Sequence, residues 1–85
     1  MLLENIESRL NRILQKRAQI DFKTNPQLRD ERLLGAEIGM PARELILVFF
    51  DVEKEFGIKI PEQAIIDCRF DTFNHIAKII KGDQS

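Results

Sequence analysis

Over its longer segments the chain's apolar residues recur every three or four positions, and no strand pattern competes with that spacing. That spacing draws one stripe down a helix, whereas alternation draws one face of a strand. Leu3, Ile6, Leu10, Ile13, Leu14 and Ala18 form the first stripe and predict a helix over about residues 2–18. Leu45, Val48, Phe49, Val52 and Phe56 form a second and predict a helix over about residues 41–56. Pro41 fits the first turn of that helix, where a missing N–H costs nothing, and Gly57 supplies its stop. Ile60-Pro61-Glu62-Gln63 reads as the start of a short third helix, with Pro61 in its first turn. Phe73, Ile76, Ala77 and Ile80 predict a last helix, capped by Asp71 or Thr72 and ended by Gly82. The expected fold is all-α: a four-helix bundle of three main helices and one short one, with residues 1–85 forming one domain.

Residues 20–40 break the pattern. Asn25-Pro26 is a turn signal, and Gly35 and Gly39 add further breaks. A loop of about twenty residues is long for so small a domain and needs anchoring. Of its apolar residues, Ile20, Phe22, Leu28, Leu33 and Leu34 are expected to pin it to the core.

Composition excludes several function classes. The net charge is −1, which is not that of a general nucleic-acid binder. Residues 1–30 carry six Lys/Arg against four Asp/Glu, and residues 31–85 carry seven against ten. This mild asymmetry reads as helix faces of mixed sign in solvent. Arg9, Arg12, Lys16 and Arg17 lie mostly off the first apolar stripe, yet no aromatic platform or recognition helix accompanies them. A single cysteine, Cys68, cannot form an internal disulfide, and a cytoplasmic setting is expected. No apolar run approaches the roughly 18 residues of a membrane span. Met1-Leu2-Leu3 meets Glu4 at once and does not read as a signal peptide.

The second helix carries most of the functional information. At about 100° per residue, Leu45, Val48, Phe49, Val52 and Phe56 share a narrow arc that should face the core. Glu44, Asp51 and Glu55 form an acidic flank. Ile46, Leu47 and Phe50 fall on the other side, beside Arg43, Glu53 and Lys54. Two readings of this apolar surplus stand. Either the long loop presses on the helix and buries it, or the three residues form a docking patch centred on Ile46 and Phe50.

The segment Glu53-Lys54-Glu55-Phe56-Gly57-Ile58-Lys59-Ile60-Pro61 is close to the end of the second helix and the following loop of the acyl carrier protein family. Phe70-Asp71-Thr72-Phe73 resembles the start of that family's last helix. The likeness runs over roughly residues 3–81. In the family, a Gly-X-Asp-Ser-Leu motif precedes the second helix, and its serine carries a phosphopantetheine arm for acyl groups. Counting back from Phe56 without a gap sets Gly39 on the motif glycine, Pro41 on the Asp, Ala42 on the Ser and Arg43 on the Leu. Ile38-Gly39-Met40 stands where the family often has Leu-Gly-Leu. A gapped alternative sets Gly35-Ala36-Glu37-Ile38 on Gly-X-Asp-Ser and offers Ile38 for the serine.

Transfer of the arm needs an oxygen nucleophile, and Ala42 has none. The chain's hydroxyl side chains are Ser8, Thr24, Thr72 and Ser85, none of them at the start of the second helix. The expectation is therefore no phosphopantetheine and no other cofactor. Pro-Ala-Arg in place of Asp-Ser-Leu also removes a negative charge and adds a positive one, weakening the surface signal that carrier-handling enzymes read. The net charge of −1 is far less negative than the family's habit. The chain looks like the small acyl-carrier-related proteins of bacterial peptide-maturation systems that lack the serine.

The remaining candidates are weaker. Cys68 reads as a small core residue and His75 as a surface histidine with no second ligand at metal spacing. Asp67 and Asp71 flank Arg69 as a solvated cluster. No phosphate loop, metal cluster or nucleophile–base pair is present, so neither an enzyme nor a metal protein is expected. The resemblance implies a non-catalytic interaction module. Arg43, Ile46, Leu47 and Phe50 would contact a modifying or biosynthetic enzyme, or a peptide substrate. A monomer that binds neither membrane nor nucleic acid is expected. The alternative is a working acyl or peptidyl carrier in fatty acid, polyketide or peptide biosynthesis.

Overall fold

A computed structural model of the chain describes residues 5–66 and 70–82. Among them are four α-helices: α1 (Ile6–Ala18), α2 (Ala42–Phe56), α3 (Glu62–Ile66) and α4 (Phe73–Ile80). A 3₁₀ helix at Pro26–Asp30 lies within the long connection between α1 and α2. No strand occurs among the described residues, so the architecture is a small all-helical bundle.

The helix ends follow local chemistry. The first described helix begins at Ile6 rather than near residue 2, because Asn5 is extended (ψ 169°) and its Oδ1 accepts the Ser8 N–H at 2.7 Å. Pro41 sits one position before α2 rather than inside its first turn, with φ −62° and ψ 146°. Gly57 ends α2 in the left-handed region (φ 63°), donating its N–H to the Glu53 carbonyl. Of the two candidate caps for α4, Thr72 takes the role: its Oγ1 accepts the His75 N–H at 3.0 Å.

The core joins all parts of the chain. Leu10 and Leu14 of α1, Val48 and Val52 of α2, and Phe73, Ile76 and Ala77 of α4 are buried. Ile60, Ala64 and Phe70 close the α3 end. Leu45, Phe49 and Phe56, the rest of the predicted arc on α2, are half-buried against this core.

The long connection contributes Phe22, Leu33 and Met40 to the same core, with Ile20 and Leu28 packed beside them. The Phe22 and Phe73 rings lie 5.1 Å apart. The Arg29 guanidinium sits 4.9 Å over the Phe73 ring, and its Nε donates to the Phe22 carbonyl. Backbone bonds from Leu33 N–H to the Asp71 carbonyl (2.8 Å) and from Met40 N–H to the Leu33 carbonyl (2.9 Å) tie the strap to α4 and to α2's approach.

Leu34 departs from the expectation. It is 48% exposed, because the tight turn closed by Gly35 N–H on the Arg32 carbonyl points Leu33 inward and its neighbour outward. Cys68, Asp67 and Arg69 lie outside the described residues. No helix among the described residues is long and apolar enough to cross a membrane.

Candidate functional site

The exposed face of α2 is the candidate site. The 3₁₀ helix of the long connection packs against α4, and α1 packs against α2 and α4, so the loop does not cover this face. Ile46 is 59% exposed, Phe50 57% and Leu47 38%. The structure leaves these three side chains outside the buried core. Arg43 is exposed beside them and makes no ion pair among the described residues.

Ile46 and Phe50 are not a flat patch. With Leu45, Phe49, Ile65 and Phe70 they line a groove of about 270 Å³. Its wall is aromatic: the Phe49 ring meets Phe50 edge-on at 5.5 Å and Phe70 at 5.7 Å. Ile65 and Phe70 were not legible as site residues. Ile65 belongs to a five-residue helix too short to show a stripe, and Phe70 enters the groove from across the bundle.

On the opposite flank of α2 runs a charged cleft of about 600 Å³ shared with α1. Here the predicted acidic edge is paired rather than free. Arg17 Nε donates to Asp51 Oδ2 at 3.0 Å and its Nη1 to Glu44 Oε1 at 3.3 Å. Arg9 donates to the Glu55 carboxylate at 2.9 Å and to the Glu55 carbonyl at 2.7 Å, with its guanidinium 4.4 Å over the Phe56 ring. The hydrogen bond from Arg17 to Asp51, before any other cause, pushes the Arg17 pKa further above its usual value. Glu53, the fourth carboxylate of α2, accepts the Ile60 N–H at 2.8 Å.

The start of α2 is open to solvent. Pro41, Ala42 and Arg43 are all exposed, and Ala42 presents a methyl group as the first helical residue. The described hydroxyls lie elsewhere. Thr72 is buried in its cap, Thr24 Oγ1 donates to the Asp21 carbonyl at 3.2 Å, and Ser8 lies in α1. Ser85 is outside the described residues. His75 Nδ1 lies 2.6 Å from Asp71 Oδ1, one turn away on α4's exposed side, and no metal-holding cluster of His, Cys, Asp or Glu occurs among the described residues. The chain matches no known family, no curated protein and no solved structure.

Proposed function

We propose that the chain is a non-catalytic interaction module on a carrier-like scaffold, and that it docks a protein partner through the exposed face of α2. The partner class is a modifying enzyme of a peptide-maturation system, or that system's peptide substrate. One observation carries the reading. Ile46 and Phe50 stay more than half exposed on a helix whose remaining apolar residues, Ala42 and Leu47 aside, join the core, and they border a groove with apolar walls. Surface of this kind is ordinarily covered by a partner.

The scaffold half of the proposal rests on the resemblance to acyl carrier proteins. Two long helices separated by a pinned connection, then a short helix, then a last one, is an order compatible with it. The non-catalytic half rests on Ala42. The position that the resemblance gives to the serine holds a methyl group and no hydroxyl.

Intact mass after incubation with coenzyme A and a phosphopantetheinyl transferase tests the proposal. An unchanged mass is expected. A gain of the arm's mass would overturn it in favour of a working acyl or peptidyl carrier.

A further inference from the structure

We infer that the partner segment seated on α2 is an acidic amphipathic helix. Its apolar edge would lie in the Ile46–Phe50 groove and its carboxylates along the ridge, beside Arg43 and Lys54 at the near edge of the cleft between α1 and α2. The inference rests on the docking reading above and adds the partner's chemistry to it.

Helical angle puts Arg43, Leu47, Phe50 and Lys54 on one exposed ridge of α2. The apolar groove lies on one side of this ridge and the charged cleft on the other. The charges of α2 differ in their commitments. Its four carboxylates all have partners within the fold: Glu44 and Asp51 on Arg17, Glu55 on Arg9, and Glu53 on the Ile60 N–H. Its two cations, Arg43 and Lys54, have no ion pair among the described residues, and neither does Lys16 on the α1 side of the cleft.

The cleft is lined by Arg9, Arg12, Lys16, Arg17 and Lys54 against only Asp51 and Glu55. In the cleft Asp51 and Glu55 are each paired with an arginine, and a paired charge projects only a weak field into solvent, so Lys16 and Lys54 set the sign that an approaching partner meets there. The far lip of the groove is different: Glu62 stands one turn before Ile65 on α3. The positive bias therefore belongs to one side, and it orients the bound helix.

Two other occupants fit less well. A second copy on a two-fold axis would bring the same ridge against itself, setting Arg43 and Lys54 of each copy against like charge. An anionic membrane surface wants protruding apolar residues, whereas this groove is concave and sized for side chains of a partner.

The test is selection of displayed helix-forming peptides on the immobilised full chain, run beside Phe50→Asp and Arg43→Glu/Lys54→Glu. Circular dichroism melts check each fold. Recovered peptides are resynthesised and their affinities measured by fluorescence anisotropy. The expected peptides are net acidic, carry apolar residues at helical spacing and weaken as salt rises. Phe50→Asp should weaken them about thirtyfold and the double charge reversal about tenfold. If Phe50→Asp fails to fold while Ile46→Asp folds, Ile46→Asp and the charge-reversal variant carry the test.

Neutral or basic peptides that still depend on Phe50 would overturn the charge assignment and leave the docking reading standing. Peptides indifferent to Phe50, or none recovered, would overturn both. Concentration-dependent dimerisation, or flotation with phosphatidylglycerol vesicles, overturns the inference if Phe50→Asp abolishes it and no acidic peptide binds.

Discussion

The side chain of Asn11 holds the backbone of Phe22: its Oδ1 accepts the Phe22 N–H at 2.7 Å inside the core. Both residues are buried, Asn11 to 4% exposure and Phe22 completely. The amide's other end, Nδ2, donates to Asp21 Oδ1 at 2.9 Å. One side chain on α1 thus fixes two successive residues of the connection, and Phe22 is thereby delivered to Phe73. The long loop is anchored before its 3₁₀ helix begins.

Asn11→Leu tests this anchor. Leucine keeps the volume and leaves the Phe22 N–H without its acceptor. A buried unsatisfied donor costs about 1–3 kcal/mol. Urea unfolding should show that loss, and hydrogen exchange at the Phe22 amide should speed up by more than the global loss explains. Stability unchanged from wild type would mean that the apolar contacts of Phe22 alone place the loop.

The same contact sets an acid sensitivity. The Asn11 hydrogen bond first, and then the Lys23 backbone, hold the Asp21 carboxyl below its usual pKa, against an opposing effect of burial. A carboxylate depressed in the folded state stabilises fully above its unfolded pKa of about 3.9, and that stabilisation is lost as pH falls through the folded value. Glu7, lowered chiefly by its hydrogen bond from Lys81, acts in the same direction. Stability should therefore fall below about pH 4. The gap between wild type and Asn11→Ala should narrow over the same interval, because the variant has already lost Asp21's main donor. Denaturation midpoints across an acid series measure it, and a gap that widens on acidification would contradict the assignment.

What the sequence discloses depends on how local the cause is. The apolar stripe of α2 and the stop at Gly57 are local and legible from spacing and residue type, and the cap of α4 is legible to within two neighbours, Asp71 and Thr72. Helical angle separates Ile46 and Phe50 from Val48 and Val52, but it leaves open whether the long loop covers them, because that depends on where distant residues pack. Asn11 is not legible: a polar residue at the edge of a stripe is ordinarily solvated, and only the approach of Phe22 gives it a buried role. Leu33 and Leu34 are chemically alike, and one turn decides which enters the core. The acidic flank of α2 looks free in the sequence because its partners, Arg9 and Arg17, come from another helix. For the same reason the groove's far wall, Ile65 and Phe70, is invisible until the chain closes.

Neighbouring residues on α2 should respond oppositely to one substitution. Ile46→Asp and Phe50→Asp place the new carboxylate in solvent and should each change stability by no more than about 1 kcal/mol. Val48→Asp puts it in the core without a partner and should unfold the domain, a loss of more than about 4 kcal/mol. Thermal melts of the three variants give the comparison. Unfolding by the first two would return Ile46 and Phe50 to the core and remove the basis for docking.

The start of α2 offers a test of the scaffold resemblance itself. Pro41 stands at the N-cap with an extended backbone and makes no side-chain hydrogen bond there. Aspartate fits that conformation and accepts from the first-turn N–H groups, so Pro41→Asp should stabilise the helix by about 0.5–2 kcal/mol. Release of the proline's fixed φ in the unfolded chain offsets about 0.4–1 kcal/mol of that gain. Ala42→Ser adds an exposed hydroxyl and should be close to neutral. Serine alone still sits between a proline and an arginine, and the mass should stay unchanged on incubation with coenzyme A and a phosphopantetheinyl transferase. The triple variant Pro41→Asp/Ala42→Ser/Arg43→Leu restores the charge and shape that the resemblance assigns to a carrier, and it should gain the arm. A folded triple variant that stays unmodified would show that the match between Ala42 and the carrier serine is one of spacing only.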